Sequence, residues 1–350
     1  MHRFETINDL TDPEQLCKLI GAIAGINVES FSAIGFSHSV FRKVKLVLET
    51  GSIRNLILKQ TNLKDDWLSL RSQDIVGREA EMLEEVCLKK IWGIVHCPYI
   101  AFARENDSTG LLMEDLSAYL FPDTKEPIAF SREDIIIDRI ASLHALFWDA
   151  AEIRKLNWLA SPHDYLSMLS PGEHDEDKFC PPPDRIRNNI TEGWKLALQL
   201  LSPAVKKFLR KPAEEIYGHW NDLPVTLLHG DLKIANMAIS PGNKLVLFDW
   251  PMIGCAPCAM ELGWYLAVNS TRLARTKEEF MSQYRIALES HLKAYIDRET
   301  WQRMTKLAVI TGAMMLLWNK ALGWRSGTEK GKDEWAWWND HLEKAVSREW

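Results

Sequence analysis

The sequence predicts an α+β chain of two lobes, β-rich first and helical afterwards. Three observations carry this. Strand-like runs cluster between residues 40 and 114, helical periodicity dominates from residue 131, and the chain is 350 residues long. At about 100–200 residues per domain, that length exceeds one small core. A hydrophobic share of 46% with 26% charged residues is that of a soluble globular chain and excludes global disorder. The formal net charge of −6 disfavours broad nucleic-acid binding, which needs a basic surface, but leaves room for a local phosphate pocket.

The elements follow in order. Pro13 opens a helix over 13–24, with Thr11 or Asp12 as its N-cap. VFRKVKLVLE (40–49) and IRNLILKQ (53–60), joined by Thr50-Gly51-Ser52, read as a β-hairpin. The Glu-, Leu- and Met-rich stretch from Ser72 to Lys90 reads as helix, and 99–104 and 109–114 as two more strands. From Ser131 a strong helix runs through SREDIIIDRIASLHALFWDA, with Glu133 and Asp134 in an acidic first turn. The Pro- and acid-rich segment 171–184 reads as a loop. Helices resume over 185–220, a strand, loop and hairpin fill 225–250, and helices complete the chain with breaks near 269–276, 297–300 and 323–332. The apolar run Leu307–Trp318 falls short of the about 20 residues a membrane span needs, so it reads as a buried helix and no membrane partner is expected.

Six scattered cysteines (17, 87, 97, 180, 255, 258) read as reduced thiols, and the N-terminal residues lack the pattern of a leader peptide; a cytoplasmic location is expected.

The chemistry concentrates in LLHGDLKIANMAISPGNKLVLFDW, 227–250. His229-Gly230-Asp231 leads to Asn236 five residues on, and a hairpin through Pro241-Gly242-Asn243 brings the chain to Asp249. A carboxylate and an amide oxygen suit a hard cation such as Mg²⁺, which keeps substrate phosphates in its shell. Asp231 is then left to accept a proton from a hydroxyl.

These residues resemble the catalytic loop of the protein-kinase-like superfamily, H-x-D-x-x-x-x-N followed by a metal-binding Asp. Gly230, and Asp249-Trp250 in place of D-F-G, resemble the aminoglycoside phosphotransferase and choline kinase-like family in particular. The resemblance implies a bilobal kinase-like fold and ATP with Mg²⁺ as cofactors. Residues 1–113 form the ATP-gripping lobe, 111–117 the interlobe hinge, and 117–350 the helical lobe with the acceptor site. By the same resemblance Asp231 is the catalytic base, Lys233 sits near the γ-phosphate, Asn236 and Asp249 bind Mg²⁺, and His229 buttresses the loop. Lys59 grips ATP with Glu79 orienting it, Glu81 being the alternative. In the hinge segment LLMEDLS, Met113 lines the adenine pocket, with Glu114 C=O and Leu116 N–H as adenine contacts. A Gly-rich loop is missing; AIGFSHSVFRKVKL (33–46) holds one glycine, so Gly35, Ser37 and Ser39 stand as phosphate-loop candidates beside the plain reading of a polar turn. Glu261 resembles the family acid that hydrogen-bonds the catalytic loop, and His144 reads as a satisfied core histidine.

The expected activity is phosphorylation of a small-molecule hydroxyl, aminoglycoside-, choline- or otherwise metabolite-like. A protein Ser/Thr kinase and a non-catalytic nucleotide-binding module are the alternatives. Cys255-Ala-Pro-Cys258 lacks the second ligand pair of a zinc site and the context of a redox site. The C-terminal tryptophans (318, 324, 335, 337, 338) either pack helices or face a cationic acceptor, and the acidic run 173–177 is either solvated or an attractor of such an acceptor.

Overall fold

The computed structural model describes residues 1–31, 37–171 and 184–347. The chain divides into two compact units. One comprises Met1–Phe121 with Met237–Pro251, the other Pro122–Asn236 with Met252–Trp350. The expected joint at 111–117 falls inside the first unit, and so does the hairpin after Asn236.

The first unit is built on a sheet in the order β1-β5-β6-β4-β3-β2. Its strands are β1 (His2–Phe4), β2 (Ile23–Phe31), β3 (Val40–Leu48), β4 (Ile53–Asn62), β5 (Tyr99–Glu105) and β6 (Ser108–Glu114). All neighbours are antiparallel except β1 and β5. Alternation decides the faces: Val44, Leu46, Leu56, Leu58 and Leu112 turn inward onto Leu10 and Leu16. The predicted helix over 13–24 is shorter. Asp12 caps it by accepting from the Glu14 and Gln15 N–H groups, it spans Pro13–Ile20, and Gly21 at φ +106° ends it. Ile23 then starts β2, an edge strand that overlaps the expected helix at two residues and otherwise falls where no element was expected. The single helix expected over 72–90 is a helix at Arg78–Glu84 and a 3₁₀ segment at Val86–Gly93. Further on, β8 (Met237–Ser240) and β9 (Lys244–Leu247) form the expected hairpin, packing Ala238 and Val246 on Leu116.

The second unit is helical. The helix expected from Ser131 spans Phe130–Leu146, and Glu133 of its first turn is buried, accepting from the Ala274 N–H and the Arg275 guanidinium. The helix Arg298–Arg325 packs against helices Asp184–Leu200, Cys258–Val268 and Glu329–Val346. By length and composition it passes as a membrane span, but 72% of its most apolar window is buried within this unit. Its crossing with Cys258–Val268 is close because Gly263 meets Gly312; a Cβ on Gly263 would stand 2.1 Å from the Ala308 carbonyl oxygen. A two-stranded ribbon, β7 (Thr226–Leu228) with β10 (Gly254–Ala256), supports the segment that follows β7. Most of the expected acidic loop, 172–183, lies outside the described residues.

Candidate active site

In the first unit, a buried lysine is held by two carboxylates. Lys59 stands on β4 opposite Leu111 of β6 and Phe41 of β3. Its Nζ donates to Glu79 at 2.6 Å and to Asp249 at 2.5 Å. Glu79 lies in the first turn of the helix Arg78–Glu84. That turn is fixed by the buried Asp74 carboxylate, which accepts from the Gly77 and Arg78 N–H groups, and by the Arg78 guanidinium, which donates to Ser72. Burial works against the lysine's charge, but Asp249 and Glu79 outweigh it and hold the pKa above the ordinary lysine value. Tyr99 donates its hydroxyl to the other oxygen of Glu79 at 2.7 Å; burial first, and that carboxylate next, push its phenol well up, so it stays a donor. Glu81, the alternative partner, instead pairs with Arg104 at 2.6 Å. Asp249 takes a left-handed backbone at φ +67°, a conformation that favours glycine and marks a constrained position.

In the second unit, the loop after β7 presents a carboxylate among three side-chain donors. Asp231 Oδ2 accepts from Lys233 Nζ at 2.7 Å and from Asn236 Nδ2 at 3.0 Å. Oδ1 accepts from the Trp264 indole N–H at 3.1 Å. Committing the Asn236 nitrogen to Asp231 leaves its oxygen as the end available to a cation.

The backbone around Asp231 is equally determined. Gly230 sits at φ +84°, and a Cβ there would lie 1.9 Å from the Met252 carbonyl oxygen. No side chain fits, which is why glycine stands where protein kinases carry arginine. The Gly230 N–H donates to Glu261 at 2.6 Å, and the other oxygen of Glu261 pairs with buried His144 at 2.8 Å. His144 also meets the Tyr284 hydroxyl at 2.7 Å. Buried His229 lies behind the loop, its Nδ1 accepting from the Asp231 N–H at 3.3 Å. Asn269 clamps the far side, accepting from the Ile234 N–H and donating to the Leu232 carbonyl.

Gly35 lies outside the described residues. Ser37 sits in a half-buried bend, and the Ser39 hydroxyl is paired with Thr61 at 2.7 Å. Met113 and Glu114 end β6, and the Glu114 carboxylate pairs with His96 at 2.9 Å. Among the described residues the Leu116 N–H has no hydrogen-bond partner. Asn236 closes the loop of the second unit, whereas Asp249 belongs to the first.

Hard oxygen donors of this kind, a carboxylate and an amide oxygen, fit Mg²⁺. Among the described residues no group of three or more His, Cys, Asp or Glu could hold a metal. Cys255 and Cys258 are free thiols, and burial raises both, Cys258 to about 12, the opposite of the lowered thiol of a redox site. Of the C-terminal tryptophans, Trp318, Trp335 and Trp338 are buried in helix packing. Trp337 stacks on His341 and has Lys277 4.6 Å from its ring centre.

Sequence reasoning gave no role to Trp264, Tyr99 or Asn269. Trp264 had a signal: it lies three residues after Glu261, on the same helix face, so an acid aimed at the loop brings the indole with it. Tyr99 and Asn269 had none, because strand register and a helix end bring them in.

A model of the phosphotransferase enzyme family matches residues 137–304. The ethanolamine kinase of Plasmodium vivax superposes with a TM-score of 0.52 at 12% identity, over 95% of this chain and 86% of that one. Choline kinase LicA of Streptococcus pneumoniae aligns over 95% and 96% of the two chains at 12% identity, TM-score 0.45. A macrolide 2′-phosphotransferase of Brachybacterium faecium aligns over 97% of each at 12% identity, TM-score 0.44. No curated protein sequence matches significantly. The match to the phosphotransferase family takes in just under half of the chain, and the superposition on the ethanolamine kinase shows a shared fold. The resemblance to the aminoglycoside phosphotransferase and choline kinase-like family, carried by His229 to Trp250, falls inside the matched segment.

Proposed function

We propose that the protein transfers the γ-phosphoryl group of ATP to a hydroxyl of a small molecule, with an aminoglycoside-, choline- or other metabolite-like acceptor. The observation that carries this is Asp231, a half-enclosed carboxylate oriented by Lys233, Asn236 and Trp264 on a loop whose backbone is itself pinned. Such an arrangement suits a general base, which must be ionised and correctly aimed. Gly230 supports a small-molecule kinase over a protein kinase, since the loop has no space for arginine. The intact set of Lys59, Asp231, Asn236 and Asp249 argues against a non-catalytic module.

In this reading Lys59, aimed by Glu79, binds the α- and β-phosphates, and the Leu116 N–H with the Glu114 carbonyl binds adenine beside Met113. Gly35, Ser37 and Ser39 cover the phosphates. Asn236 and Asp249 are the Mg²⁺ ligands; when bound, the ion neutralises the transferring phosphoryl group. Lys233 meets the γ-phosphate, and Asp231 receives the acceptor's proton. Positioning and charge stabilisation supply most of the rate.

The test is Mg-ATP-dependent ADP release across a panel of hydroxylated metabolites and antibiotics, with Asp231→Asn alongside. Release with one acceptor class that vanishes in the variant is expected. Release that persists in Asp231→Asn would remove Asp231 from its role.

A further inference from the structure

We infer that Trp264 is a positioning residue for Asp231, and that Oδ1 of Asp231 is the atom that takes the acceptor's proton. The inference rests on the reading of Asp231 as the base and adds the atom and the residue that aims it.

A carboxylate oxygen offers two lone-pair sites. Oδ2 has two donors, Lys233 Nζ and Asn236 Nδ2, which engage both. Among the described residues Oδ1 has one, the Trp264 Nε1–H, and so keeps one site for an incoming O–H. Two donors on one oxygen leave the carboxylate able to pivot about it. The third, on the other oxygen, removes that freedom. Trp264 suits the task because an indole N–H is a donor only, so it orients the carboxylate without competing for the proton. Its support is rigid. It stands on the helix Cys258–Val268, one turn beyond Glu261, which holds the Gly230 N–H. One helix therefore sets both the loop backbone and the plane of its carboxylate.

The step balances. The acceptor oxygen forms a bond to the γ-phosphorus while the bond from that phosphorus to the β–γ bridging oxygen breaks. ADP leaves with the electron pair, the acceptor proton passes to Oδ1, and Asp231 returns it to solvent.

The test replaces Trp264 by 3-benzothienylalanine, which keeps the shape and removes the N–H, and separately makes Trp264→Phe. In Mg-ATP-dependent ADP release, kcat should fall about tenfold with the KM for ATP within about twofold. In a ¹⁵N–¹H spectrum, the indole resonance lost in Trp264→Phe should be displaced in Asp231→Asn. An unchanged kcat in the benzothienyl protein, or an indole resonance indifferent to Asp231→Asn, would overturn the inference. A wild-type protein that releases no ADP overturns the phosphotransfer reading and Oδ1 as base with it. The resonance needs no turnover and decides the indole contact separately.

Discussion

Two lysine–carboxylate sites, one in each unit, are built on opposite terms. Lys59 is 5% exposed and lies between two carboxylates, with a tyrosine satisfying the remaining oxygen of one of them. Lys233 and Asp231 keep side-chain exposures of 30% and 13%, and their pairing is local to one turn. Loss of Lys59 would leave the buried Glu79 carboxylate without its cation. Lys233 can be lost at less cost, because water reaches it and Asp231 keeps Asn236 and Trp264 as donors. Stability and chemistry are thus separable in the proposed reading: the lysine of the first unit is tied to folding, and the pair of the second unit serves turnover.

Asp231→Asn should reduce ADP release by about 10²–10⁴-fold, the usual worth of a general base, while the melting temperature holds. An equal loss of stability would show that the second site is also structural. Gly230→Ala should destabilise by about 3–5 kcal/mol in urea unfolding, because both the left-handed backbone and the Met252 carbonyl resist a Cβ. Lys59→Met should cost about 3 kcal/mol and Lys233→Met under about 1 kcal/mol in the same assay. Similar losses from the two would end the distinction. Tyr99→Phe, which removes one of the two donors to Glu79, should cost about 1–2 kcal/mol.

Alkaline pH sharpens the contrast with a third lysine. Lys320 is as buried as Lys59, but burial lowers its pKa, since Glu334 is its one carboxylate and Lys277 opposes it. For Lys59 the folded state holds the proton more tightly, so its contribution is complete below 10.5 and is lost only as pH rises through the higher folded value. For Lys320 the unfolded state holds the proton more tightly, so stability rises with pH from the lowered folded value up to 10.5. Urea midpoints between pH 8 and 10.5 should therefore climb less steeply in Lys320→Met than in the wild type. In Lys59→Met their slope should match the wild type.

The hairpin over 40–60 was legible because alternation and a Thr-Gly-Ser turn are local signals. The loop from His229 to Asn236 was legible because its motif is compressed into eight residues. Strand β2 was not, because Ile23–Phe31 is an exposed edge whose alternation is weak and which follows a well-capped helix directly. The choice of Glu79 over Glu81 was not settled by sequence either; Arg104, from β5, takes Glu81.

By itself the sequence determined the β-rich first part, the helical second part, and the His229–Asn236 loop with the hairpin that follows it, because each depends on residues near in the chain. The tertiary structure alone decided that Tyr99 completes Glu79, that Trp264 and Asn269 brace the loop, and that residue 230 can carry no side chain. Those facts depend on contacts between residues 20 to 37 positions apart, where register and helix packing, and not local propensity, place the atoms.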